Sequence, residues 1–224
     1  MLKDQSLIEF ALKSIRDGIQ SGRYMPGDKL RTVEIANDLS VSRTPVVAAI
    51  NRLVAEGLAE SIPNRGTFVK KLSMKQVHDM LQVRLMIEQF SIPFAIKNLA
   101  FCSNTLSFME SLLVDFQEIG DSDYKTASEL EHQFHSSLVS LACNDQLSRL
   151  FEINWGVGAA FYLYNLNKMP LSIQKKSFLE HKDIIALLKK GDEAALHSTL
   201  ERHISSVISA IDWLYMNDKK GIFK

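Results

Sequence analysis

Between residues 39 and 72 the chain changes its periodicity abruptly, and few folds can hold that change. LSVSRTPVVAAINRL (39–53) carries Val46, Ala49, Ile50 and Leu53 at three- and four-residue spacing, one buried stripe of a helix. Ser42 stands at the N-cap, Val41 and Val46 are placed as a hydrophobic staple, and Pro45 falls in the first turn, where a missing N–H matters least. The next stretch, GLAESIPNRGTFVKKL (57–72), reads instead as two short strands, 58–61 and 67–69, around a Pro- and Gly-bearing turn. Upstream, residues 6–21 form an amphipathic helical pattern with Leu7, Phe10, Ala11, Ser14, Ile15 and Ile19 along one side. MPGDKL (25–30) is a turn, and 31–40 a short second helix. Three helices and a hairpin make a winged helix-turn-helix. Its third helix leaves Arg43, Thr44, Val47, Asn51 and Arg52 on or beside the outer face, and Arg65 makes a basic wing tip.

Strand signals stop near residue 73. Six helical patterns follow, over 73–100, 104–120, 124–142, 145–167, 172–192 and 193–216, with Pro93 predicting a kink in the first and Gly191-Asp192 separating the last two. Short connections between them predict an antiparallel helical bundle. The chain is therefore expected to be mainly α, with a winged helix-turn-helix over 1–72 and an all-helical domain over 73–224.

Charge agrees with that division. The 26 Lys/Arg and 26 Asp/Glu of the 224 residues cancel, which argues against a generic basic coat for nucleic acid, but residues 1–72 hold 11 basic and 8 acidic groups. Two cysteines make no disulfide framework, the N-terminus turns polar too early for a secretory signal, and the most apolar run, 155–164, is too short to span a bilayer. A soluble cytoplasmic protein that does not enter the membrane is expected.

All six histidines fall after residue 72. Glu131 and His135 are four apart and share a helix face, His181 lies in the stripe of Phe178, Ile185 and Leu188, and His203 in that of Leu196, Leu200, Val207 and Ile211. His132 and His197 turn away from those faces. Three inward imidazoles and a carboxylate need hydrogen-bond partners, found either separately in the core or together in a divalent transition metal, with Zn, Ni or Fe suited to imidazole. Arg84 also points inward, as a partner for an anionic ligand or for Glu88 one turn on.

The segment IQSGRYMPGDKLRTVEIANDLSVSRTPVVAAINRLVAEGLAESIPNRGTFV, followed by VRLMIE, resembles the GntR family of transcription regulators, of the FadR type with an FCD effector domain. The resemblance implies Arg31, Arg43, Thr44 and Arg52 as DNA-facing groups and Gly66 in a wing at the minor groove. Val47 stands where the family usually carries Arg, so an apolar contact to a thymine methyl replaces direct readout there. The resemblance also implies a metal held by an Asp-x-x-x-His pair and two later histidines, matching His135, His181 and His203, with Glu131 in the Asp position. It implies a small-molecule effector, often a carboxylate, in the same cavity, for which Arg84 is the candidate partner. A homodimeric, ligand-controlled repressor on a palindromic DNA operator is the leading expectation. A metal-dependent hydrolase and a metal sensor without an organic effector are the competing ones.

Overall fold

The computed structural model describes residues 2–119, 124–166 and 171–216. Helices α1 (Leu2–Gln20), α2 (Thr32–Asp38) and α3 (Arg43–Ala55) precede a hairpin of β1 (Ala59–Ile62) and β2 (Gly66–Val69). The helices α4 (Met74–Asn98), α5 (Ser103–Glu118), α6 (Tyr124–Ser140), α7 (Asp145–Leu166), α8 (Leu171–Lys190) and α9 (Glu193–Met216) follow. The chain divides into one compact unit of residues 1–72 with Gly156–Tyr164, and a second of Ser73–Trp155 with the remainder.

In the first unit α1 packs on α3, and Ala11, Ile15 and Ile19 meet Val46, Ile50 and Leu53 in one apolar core. One expectation for α1 is corrected: Phe10 is 49% exposed, and Leu12, outside the predicted stripe, is buried in its place. The core-facing arc of α1 is thus rotated toward 11, 12, 15 and 19. Ser42 occupies the N-cap of α3 with extended backbone but makes no side-chain cap bond. Pro45, the third residue of the helix, has no N–H and so removes one of the two donors such a cap would use. α2 closes with Ser40 at φ 55° and a bond from the Val41 N–H to the Ala36 carbonyl, a left-handed stop that makes the turn into α3 abrupt.

The hairpin pairs Ala59 with Val69 and Ile62 with Gly66 in antiparallel register. Pro63 and Asn64 (φ 59°) form its tip, closed by a 3.1 Å bond from the Arg65 N–H to the Ile62 carbonyl. The segment expected to be only a turn does more. Gly27 and Leu30 donate to the carbonyls of Val69 and Thr67, and Val69 donates to Asp28, so residues 27–30 run along β2 as a third edge.

The second unit begins with a full capping box. The Gln76 N–H donates to Ser73 Oγ, and the Ser73 N–H donates to Gln76 Oε1 at 2.9 Å. α4 runs without interruption through Pro93 and packs on α6 and α9, while α5 lies on α6 and α8. Ile92, Met109, Phe134, Leu138, Ile184 and Leu200 are among the side chains of their shared core. Between α8 and α9, Gly191 takes φ 70° and Asp192 accepts from the Ala195 N–H, as the sequence predicts. Residues 120 and 167, expected to end two helices, lie outside the described residues.

Gly66 has φ 108°, a conformation that a side chain strains. Gly66→Ala is expected to lower the stability of the folded chain by about 1–2 kcal/mol, read by urea denaturation. An unchanged midpoint would show that the hairpin relaxes to a second geometry.

Candidate functional site

α3 places its predicted face outward. Arg43, Thr44, Asn51 and Arg52 are exposed, Val47 is 41% exposed, and Val46, Ala49, Ile50 and Leu53 are buried behind them. Arg43 is the first residue of the helix, where free N–H groups and the positive dipole end favour an anion, and it makes no ion pair among the described residues. Arg52 is turned back to Glu9 of α1, and Arg31, just before α2, pairs with Glu34 at 2.9 Å. Both are surface pairs, weak enough to exchange one anionic partner for another. Arg65 and Gly66 are exposed at the hairpin tip.

In the second unit three helices converge on one buried cluster. α6 contributes Glu131 and His135, α8 His181 and α9 His203, with ligand atoms that all lie within 4.8 Å of one another. The Glu131 carboxylate is the hub, 3.2 Å from the Nε2 of both His135 and His181 and 3.3 Å from that of His203. The Nε2 atoms of His135 and His181 are 3.1 Å apart. The methylene by which Glu131 exceeds an aspartate therefore does not keep its oxygens from the imidazoles. Donors around a first-row ion with bonds of ~2.1 Å lie ~3.0–3.4 Å apart, so the spacing of this group suits a metal.

The outer nitrogens are held as well. His135 Nδ1–H donates to Glu88 at 2.9 Å and His203 Nδ1–H to Glu180 at 3.0 Å, which turns both Nε2 atoms toward Glu131. His181 is oriented differently, by stacking on Phe134 at 4.1 Å between ring centroids, and its buried Nδ1 has no hydrogen-bond partner among the described residues. Arg84 is also buried. It donates to Glu88 at 2.6 Å and to Glu131 at 3.2 Å and lies over the Trp155 ring. Both readings of Arg84 thus meet in one place, since the salt bridge to Glu88 sits at the edge of the histidine cluster.

The charges follow from these contacts. Burial pushes Glu88 up, but His135 and Arg84 overcome it and hold the carboxyl at about 2. Burial likewise opposes ionisation of Glu131, yet His181 and His135 keep it well below the usual carboxylate range. His181 is driven well below its ordinary value, first by burial and then by its cationic neighbours against the pull of Glu131. His203 is raised despite burial, because Glu131 and Glu180 accept its protons. Glu180 was invisible in the pattern except as the neighbour of His181. Glu88 was visible only as the partner of Arg84. His132 and His197 stay outside, paired with Glu152 and facing Glu193.

Comparison with known proteins places both halves. The profile "Bacterial regulatory proteins, gntR family" matches residues 7–69, and the FCD domain profile matches 79–206. The Nta operon transcriptional regulator of Aminobacter aminovorans is 26% identical over 196 residues, covering 85% of this chain and 90% of its own. The HTH-type transcriptional repressor RspR of Escherichia coli K12 is 25% identical over 187 residues, covering 83% and 80%. The solved structure of E. coli McbR/YncC superposes with a TM-score of 0.84 at 20% identity, over 93% of this chain and 98% of that one. The family and these relatives are regulators, which leaves the hydrolase expectation without support. Among the described residues no helix is long and apolar enough to cross a membrane.

Glu88 generates a pH prediction for the metal-free chain. Its folded-state value lies below the ordinary 4.5, so its stabilisation is fully present above that value and is lost as pH falls from there toward 2. Glu88→Gln is expected to flatten the fall in stability below pH 4.5 and to destabilise the chain at pH 7 by about 2–4 kcal/mol, measured by urea denaturation across pH. Parallel curves for the two proteins would refute the assignment.

Proposed function

The chain belongs to the gntR family of bacterial regulatory proteins, with an FCD domain as its helical part, and on that premise we propose how this DNA-binding regulator works. It acts in the cytoplasm as a homodimeric repressor on a palindromic operator. Residues 1–72 bind DNA, and residues 73–224 bind effector and the partner protomer. The observation that carries the reading is the outward face of α3, where Arg43, without an ion pair among the described residues, stands at a helix start backed by an apolar inner face. Arg43, Thr44, Val47 and Asn51 meet base edges in the major groove, with Val47 giving an apolar contact. Arg31 and Arg52 exchange their acidic partners for phosphate, and the wing at Arg65 and Gly66 lies at the minor groove.

In the helical part, Glu131, His135, His181 and His203 hold a divalent transition metal, with Zn, Ni and Fe suited to the donor set. Bound there, such an ion would leave coordination positions open to an anionic oxygen. Glu88 and Glu180 fix the ring orientation of His135 and His203. Arg84 takes the carboxylate of a small effector, exchanging its bond to Glu131 while keeping Glu88. A metal sensor without an organic effector is the second reading, favoured by how completely the described residues already satisfy Glu131.

Selection from a random DNA library tests the DNA half. The wild type is expected to enrich a palindrome, and Val47→Arg to change the preferred bases within it. A new phosphate contact would instead tighten all sequences and steepen the salt dependence. Identical preferences in the two proteins would remove Val47 from the readout.

Elemental analysis tests the other half. About one metal per chain is expected after purification without chelator, raising thermal stability because it binds only the folded state. His203→Ala is expected to lose the metal and His197→Ala, outside the cluster on the same helix, to keep it. A metal-loaded protein whose operator affinity shifts with metal alone, and not with small carboxylates, would favour the sensor. No metal in the wild type after reloading would refute the centre.

A further inference from the structure

The two cysteines, distant in sequence, meet at one place in the second unit. Cys102 is the residue before α5, in the connection from α4, and Cys143 lies in the turn between α6 and α7. Their sulfurs are 3.9 Å apart, with Cys102 partly buried and Cys143 exposed. The end of α4 is joined to the α6–α7 turn beside them by a 3.0 Å bond from Asn98 Nδ2 to the Leu141 carbonyl. Cys143 takes φ 52°, the left-handed region that favours glycine, so its side chain is held on this turn at a conformational cost. A cleft of about 330 Å³ opens beside it, bounded by Phe94, Asn144 and Gln146, which gives a small reagent access to the sulfur.

We propose that Cys102 and Cys143 form a reversible thiol–disulfide site that ties the α4–α5 connection to the α6–α7 turn, with a low-molecular-weight disulfide as its oxidant. Closing a bond of ~2.05 Å asks the sulfurs to approach by about 1.9 Å, and both sit in connections rather than within helices, where side-chain rotation and small backbone shifts can supply the movement. In a reducing compartment a pair this close is a site for transient, signalling oxidation and not a structural bridge.

The chemistry needs two exchanges. The exposed Cys143 thiolate attacks one sulfur of the small disulfide, forming a mixed disulfide and releasing one small thiolate. Cys102 then loses its proton to solvent and attacks the Cys143 sulfur, forming the protein disulfide and releasing the second small thiolate. The small disulfide is reduced to two thiols and the protein loses two hydrogens. Burial, with the neighbouring Cys143, pushes the Cys102 thiol up, which suits it to wait as the S–H partner while Cys143 reacts first. The bond would restrain α4 and α6, the helices that carry Arg84, Glu88, Glu131 and His135.

The full chain is treated with glutathione disulfide, free thiols are blocked with iodoacetamide, and the intact mass is read. The expected product is a monomer lighter by two hydrogens with no alkyl group added, restored to two alkylated thiols by dithiothreitol. Cys102→Ser is expected to stop at the mixed disulfide on Cys143, because the second attack has lost its nucleophile. The oxidised wild type is expected to melt higher by roughly 5–10 °C. Two stable mixed disulfides on the wild type, or disulfide-linked dimers in place of the internal bond, would overturn the site. An internal bond that leaves the melting temperature unchanged would overturn the restraint.

Discussion

Arg84, Glu88, Glu131, His135, Glu180, His181 and His203 are all buried, and the second unit is organised by the need to compensate them. A buried charge without a partner is far more damaging than an exposed one, and partial satisfaction is worse than an apolar core. The groups come from α4, α6, α8 and α9, so no pair of these helices can slide by a turn without separating a carboxylate from its cation. The apolar core that includes Phe134, Ile184 and Leu200 holds the helices together but would tolerate a change of register. The polar cluster is what specifies one register, a role that buried ionic groups fill better than that of adding net stability.

The first unit obeys the opposite rule. Its core is apolar throughout, its turns are set by backbone conformations at Ser40, Asn64 and Gly66, and its charged groups lie outside. Apart from the surface pair of Arg52 with Glu9, that leaves the outer face of α3 little to do in holding the fold, since Val46, Ala49, Ile50 and Leu53 already fasten the helix from behind. Residues with no part in folding are free to be chosen for recognition. Val47, exposed and apolar among polar neighbours, adds nothing to the buried stripe of α3, and the proposed contact with DNA gives it a use.

What the sequence made legible follows the same division. Helical spacing identified the buried stripe of α3 and the inward direction of Glu131, His135, His181 and His203, because both depend only on position along one helix. It misplaced Phe10 and passed over Leu12, whose positions at the edge of the stripe leave the choice to the packing of α3. The edge pairing of residues 27–30 with β2 was not legible, since a turn signal does not say what the chain runs beside. The contacts of Glu88 and Glu180 with imidazoles escaped for the same reason. Their partners, His135 and His203, lie 47 and 23 residues away, and only the assembled bundle brings each carboxylate to an imidazole.

Glu131 is shared, and that sharing gives the proposed effector site its leverage. Its Oε1 lies near Arg84, His135 and His203 at once, while Oε2 faces His181. An anion that takes Arg84 releases Glu131 from a cation, and the carboxylate then serves the imidazoles alone. A ligand on the histidine cluster and an anion at Arg84 that favour the same placement of Glu131 would each raise the other's affinity by the same factor. Glu88 keeps its bonds to both Arg84 and His135 through that exchange, so α4 and α6 remain tied while one of their contacts is traded. A cluster in which one carboxylate answers to two sets of partners, and a second carboxylate holds both sets in place, is suited to couple ligand occupancy to helix position without unfolding the core.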